Sequence, residues 1–421
     1  MFTVYNKQLG SPRNVIDRRN FLSIGGGIGA LSLPALLQAE ARQQTGSSHK
    51  ALIHLHLGGG PSHQDMFDLK PDAPSEFRGE FNPIHTNVPG LDICEHFPLL
   101  SQMADKFAVV RSLVGMISSH SANHTSTGFD QKSLSNIGGR PYMGSVVAKL
   151  QGPTENGAPP YISYMGGKPG YLGPVYLPYK PSGNDLKLRS ITEDRLTDRR
   201  SLLGSLDTIR RDIDSSGQLD ALDAYTQQAA ALVTSGTVAD ALDVRLEDPA
   251  IVERYGNGQG KNLLLARRLI EAGSRVVTMQ WGGWDTHSNN FVSLKKLLPQ
   301  LDQALSALLE DLSLRGMDQD VTVVVWGEFG RTPRVNSKAG RDHWTRLSQV
   351  FLAGGGMRLG QAVGTTSKNA EFAQDRPVHL QEVLATLYHN MGIDSQRVQL
   401  HDPNGRPQFL LDQRPPIAEL I

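Results

Sequence analysis

Two strand-like runs, each ending in a cluster of acids and imidazoles, constrain this chain more than any other feature. One is VVTMQWGGWDTH (276–287); the other is VTVVVWGEFG (321–330), followed by GRDHW (340–344). Continuous apolar runs mark strands buried on both faces, and in open α/β sheets ligand groups gather beyond the strands' carboxyl ends. Asp285, His287, Glu328, Asp342 and His343 are therefore expected at one crevice. Residues two apart in extended backbone point the same way, which sets Asp285 and His287 to grip one ion from one side. Ionised groups gathered in this way are costly without a partner.

The flanking sequence supplies the rest of a sheet. ALIHLHL (51–57) runs into GGGPSHQD (58–65), whose glycines let backbone turn tightly and approach a ligand closely. Asp65 joins the ligand candidates, with His63 beside it. FAVVRSLV (107–114) leads into SSHSANHTSTGF (118–129), where His120 and His124 share a face if a helix begins. Ser121 and Thr125 put hydroxyls at that helix start, whose free N–H groups favour an anion. A nucleophile facing phosphate or sulfate, with His124 at hand, fits there; so does a plain capped helix start with solvated histidines.

NLLLARRLIEAG (262–273) predicts an amphipathic helix stopped by Gly273, and Leu294, Leu297, Leu298, Leu301, Leu305, Leu308, Leu309 and Leu312 make a helical core stripe. QVFLAGG (349–355) and VHLQEVLATLYHNMGI (378–393) add a strand and a final helix. This alternation predicts an α/β fold, a mostly parallel sheet covered by helices on both faces. The core then falls into two parts, 42–150 and 261–421. Between them, 151–260 reads as an inserted cap, irregular at first and then helical, with Leu202, Leu203, Leu206 and Ile209 at helical spacing.

Lys+Arg and Asp+Glu are both 42, so the chain has no basic field of the kind that draws proteins to nucleic acid. Cys94 is the only cysteine, which rules out an intramolecular disulfide and reads as a small buried apolar residue. Arg18-Arg19-Asn20-Phe21-Leu22, a mildly apolar run to Leu37 and Ala39-Glu40-Ala41 follow the order of a twin-arginine export signal over residues 1–41. The expected location is periplasmic or otherwise outside the cytoplasm, after passage through the twin-arginine machinery. No later run is long and apolar enough to span a bilayer.

Taken in order, GGGPSHQDMFD, SEFRGEF, LLARRLIEAG, GGWDTHSNNF, WGEFGRTPRVN, GRDHW and FLAGGG resemble the exported, sulfatase-like domain-of-unknown-function 1501 family, within the alkaline phosphatase and sulfatase superfamily. The resemblance spans nearly the whole chain. It implies an alkaline-phosphatase-like fold holding one or two divalent ions, and a nucleophile that attacks phosphorus or sulfur in a small-molecule or polysaccharide ester. Carried over by motif order, Asp65, Asp285, His287, Glu328, Asp342 and His343 become metal ligands, His379 a weaker one, and Ser121 or Thr125 the nucleophile. Mixed imidazole and carboxylate donors favour zinc or manganese over calcium or magnesium.

Two departures qualify that expectation. Cys94-Glu95-His96-Phe97 does not match the Cys- or Ser-x-Pro-x-Arg motif of formylglycine sulfatases, which argues against that mechanism. Arg331, Arg334 and Arg341 stand between the acid strand and the Asp-His pair, where they either neutralise an oxyanion or pair with Glu328 and Asp342, leaving no metal site. The competing functional class is a non-catalytic exported scaffold that keeps the hydrolase fold for binding; a phosphomutase-like transferase is a third.

Overall fold

The computed structural model describes residues 49–154, 157–181 and 236–421. The expected export signal and the Leu202–Ile209 stretch lie outside the described residues. Eight strands form the central sheet: β1 (Ala51–Leu57), β2 (Phe107–Val114), β3 (Tyr161–Ser163), β4 (Val276–Trp281), β5 (Val321–Trp326), β6 (Ser348–Gly354), β7 (Gln361–Val363) and β8 (Val378–His379). Their spatial order is β7-β2-β6-β5-β1-β4-β3, with β8 also pairing β2. Only β6 runs antiparallel to its neighbours, so the sheet is mostly parallel, as expected.

Side-chain alternation sends the two faces of each strand into separate cores. Ile53, Leu55, Val277, Met279, Val323 and Val325 pack with α3 (Gln259–Glu271) and α4 (Asn290–Leu314). Leu52, Val276, Val324, Trp326 and Leu352 pack with α2 (Met143–Gln151) and α5 (Leu380–Asn390) on the other face. The leucine stripe is the buried seam of α4, with Leu297 at its edge. Cys94 is buried in the first core, where burial pushes its thiol up to about 12, so it stays a protonated, inert group.

The described parts of 151–260 are not all cap. Tyr161–Ser163 pairs in parallel with β4 and closes one edge of the sheet, while Thr237–Leu242 packs against α3. A short strand buried on both sides of a glycine- and proline-rich stretch gives no period to read. No helix among the described residues is long and apolar enough to cross a membrane.

Because β6 reverses direction between β2 and β5, the carboxyl ends of β1, β2, β4 and β5 open on the same edge. Every loop that carries a site candidate leaves from that edge.

Candidate metal centre

Four loops meet there. Gly59, after β1, has φ +117°, and a Cβ on it would lie 2.3 Å from Asp285 N, so only glycine lets the β1 and β4 loops touch. Its N–H donates to Glu328 Oε1 at 2.8 Å. Behind it, the hairpin pair Gly330–Arg331 and His343–Trp344 returns Asp342 and His343 to the strand ends.

Three imidazoles converge on Asp285. His287 Nε2 lies 3.1 Å from Asp285 Oδ1 and 3.1 Å from His343 Nε2, which itself lies 3.3 Å from Asp285 Oδ1. His120 Nε2 reaches Asp285 Oδ2 at 3.5 Å. Each ring's other nitrogen faces an oxygen: His287 Nδ1 meets Asp342 Oδ1 at 2.6 Å, His120 Nδ1 meets Glu328 Oε1 at 2.9 Å, and His343 Nδ1 lies 3.5 Å from Ser118 Oγ. Donor atoms of His120, Asp285 and His343 all fall within 4.8 Å of one another.

A carboxylate only accepts, so Nδ1 of His287 and of His120 carries the proton. In the neutral ring Nε2 is then a bare lone pair aimed at the Asp285 carboxylate. Lone pair against carboxylate is repulsive unless the ring is charged or a cation lies between them. Burial holds His343 below the usual imidazole value, Arg331 and His120 adding to this against the pull of Asp285. Burial would raise Asp285, but Arg331 first, then His343 and His287, bring it below the usual carboxylate range. The donor set therefore fits a divalent cation, with carboxylates behind two of the imidazoles.

Glu328 is the buried foundation. Its side chain is 2% exposed, with His56 Nε2 3.3 Å from Oε2, and neither Glu328 Oε2 nor His56 Nδ1 has a hydrogen-bond partner among the described residues. Burial opposes its charge, yet His56, its own backbone N–H and His120 hold it down at about 2. Glu328 and Asp342 thus pair with imidazoles. Arg331 instead goes to Asp285 and to the carbonyls of Gly59, Gly60 and Arg341, fully buried.

Several expected residues stand apart. Asp65 is buried and saturated: Arg341 donates to both of its oxygens at 2.8 and 2.9 Å, Ser62 at 2.6 Å and Asn290 at 2.9 Å, leaving it a structural clasp rather than a ligand. His63 is buried against Ala370 O, and burial lowers it to about 4. His124 is buried in α1 (Asn123–Thr127) with Nε2 on Glu328 O at 2.5 Å, and burial lowers it too, so it ties α1 to the β5 loop as a neutral ring. Thr125 is fully buried and donates to Ala122 O, which takes its hydroxyl away from the crevice. Ser121, half-buried beside His120, accepts from Asn123 N. His379 caps α5, its Nδ1 accepting from Gln381 N. The residues not anticipated are His56, Ser118 and, as a ligand candidate, His120, which the sequence placed only on a helix face shared with His124. His-x-His in ALIHLHL put His54 and His56 on one strand face, the available signal for the first; nothing marks Ser118 among its serine neighbours.

Residues 49–421 match the family model described as "Protein of unknown function (DUF1501)". The chain belongs to the DUF1501 family. No curated protein matches it. Among solved structures, this DUF1501 chain is similar to the PsFucS1 sulfatase from Pseudoalteromonas sp., at 11% identity and TM-score 0.37, covering 85% of this chain and 70% of that one. It is also similar to Ps i-CgsB in complex with k-i-k-neocarrahexaose, at 10% identity and TM-score 0.36, covering 82% and 72%. Likeness at this level says nothing about the reaction of the DUF1501 chain.

Proposed function

We propose that this chain is an exported, metal-dependent hydrolase of phosphate or sulfate esters. The single observation behind it is the set of three imidazoles whose Nε2 atoms face Asp285 while their Nδ1 atoms are held by Asp342, Glu328 and Ser118. His120, His287, His343 and Asp285 would hold the ion. A divalent cation there supplies Lewis-acid polarisation of an ester oxygen. The chain's own groups do the remainder: Glu328 and Asp342 fix the tautomers, buried Arg331 steadies Asp285, and Ser121, next to His120 in the chain, is the nucleophile candidate, since Thr125 is buried and turned to Ala122 O. Export by the twin-arginine route belongs to the same proposal, since that route carries folded proteins with their ions in place.

Metal analysis of the purified protein tests this directly. We expect about one or two tightly held zinc or manganese ions, lost in an Asp285→Asn, His343→Ala pair together with hydrolysis of aryl phosphate or aryl sulfate. A wild-type protein that retains no divalent ion and ignores chelator would leave the non-catalytic scaffold as the better reading.

A further inference from the structure

An open groove of about 690 Å³ runs beside the cluster, lined among others by Glu76, Arg334, Asn336, Asp342, Trp344 and Glu371. Asp342 belongs to both, since it also accepts from His287. Asn336 ties the two together by donating to His287 O at 3.0 Å and Asp342 Oδ2 at 3.3 Å. Trp344 follows His343 directly, and its indole is held in place by Nε1 donating to Glu371 O at 2.9 Å. Phe372, next to Glu371, is 55% exposed.

We propose that this groove is a subsite for an uncharged sugar unit of an oligo- or polysaccharide, with Trp344 as its stacking platform. A pyranose offers an apolar C–H face and a rim of hydroxyls. A fixed, half-buried indole flanked by carboxylate, amide and guanidinium side chains answers both. Charge decides the kind of sugar. The lining sets three carboxylates, Glu76, Asp342 and Glu371, against Arg334, and a second guanidinium, Arg346, lies over the Trp344 ring, 5.4 Å from its centroid; the carboxylates outnumber the cations, so a sulfated or phosphorylated unit is disfavoured here and a neutral one is not. That this sugar neighbours the hydrolysed ester rests on the function proposed above; the binding itself does not.

The protein carries its own probe. Of its four tryptophans, Trp281, Trp284 and Trp326 are at most 2% exposed, so collisional quenching by acrylamide reports Trp344. Neutral gluco- and galacto-hexasaccharides are expected to protect the wild-type fluorescence. By calorimetry, sulfated hexasaccharides should bind at least about 10-fold more weakly, Trp344→Ala should lose about 10-fold or more for the neutral ones, and Trp344→Phe should stay within about 3-fold. No protection by any neutral hexasaccharide, tighter binding of the sulfated ones, or unchanged binding by Trp344→Ala would overturn the subsite. If Trp344→Ala fails to fold, the wild-type quenching and the Trp344→Phe titration still decide. Sugar binding in a protein that retains no metal would sink the hydrolase and spare the groove; metal retention and aryl-ester hydrolysis without sugar protection would do the reverse.

Discussion

At the scale of single residues, partner geometry divides the acids into a candidate ligand, a candidate orienter and a clasp. Asp285 faces three Nε2 atoms, Asp342 faces one Nδ1, and Asp65 faces a guanidinium. Asp342 is the cleanest to test because it is exposed and its removal leaves no buried charge behind. Asp342→Ala should weaken zinc affinity by about 10- to 100-fold through loss of the oxygen behind His287, with little effect on stability. Competition against a chromophoric chelator measures it; equal affinities would deny Asp342 an orienting role. Asp285, His287 and Glu328 were legible as one crevice because each follows a strand by a few residues; Asp342 and His343, beyond the loop after Arg331, were placed with them by the order of the motifs. Asp65 was not separable from them, since its partner Arg341 lies 276 residues away and no local pattern records such a pairing.

Among elements, helix packing on the first core depends on buried ions as well as on the leucine seam. Arg267 of α3 is fully buried among Glu247, Glu271 and Asp311, which joins α3 to α4 and to the Val244–Leu246 turn. Arg267→Ala leaves Glu247, Glu271 and Asp311 paired with Arg315, and Glu247 also with Arg268, so it should cost about 1–3 kcal/mol in urea unfolding, less than a fully stranded buried charge; a loss below about 1 kcal/mol would show that the remaining arginines take over its role. Asp302, inside α4, accepts the free N–H groups of Leu99 and Leu100 at 2.9 and 2.8 Å. Burial raises its carboxyl from 3.8 to about 6, the two N–H groups pulling back less. The unfolded chain releases this proton near pH 4 while the fold keeps it to about pH 6. Its contribution is therefore full below pH 4 and falls as pH rises to 6, by on the order of 2 kcal/mol. Asp302→Asn should flatten that decline in urea midpoints taken from pH 4 to 7; an unchanged slope would assign it to other groups. Strand and helix types were readable from period and apolar content, but the antiparallel direction of β6 was not. Hydropathy has no arrow, and only the tertiary pairing of β6 with β2 and β5 supplies one.

In the whole molecule, the family and the α/β layering were both legible, because motif order and strand–helix alternation are properties of the entire chain. What the alternation cannot convey is that the candidate ligands come from three separate stretches: His120 after β2, Asp285 and His287 after β4, and His343 from the hairpin after β5. Only the native sheet, with its four strand ends on one edge, brings these together. An ion held by them therefore binds the folded state and not the unfolded chain, so occupancy should raise thermal stability. At 100 times the dissociation constant the gain is about 2.7 kcal/mol, and in a chain of this size that corresponds to roughly 3 °C in Tm. Zinc or manganese added to chelator-treated protein should produce that rise in scanning calorimetry, and magnesium should produce much less. The Asp285→Asn protein should show no rise with any of them, since it loses the carboxylate on which all three imidazoles converge. A rise of equal size in wild type and Asp285→Asn would place the bound ion elsewhere and leave the crevice without a metal.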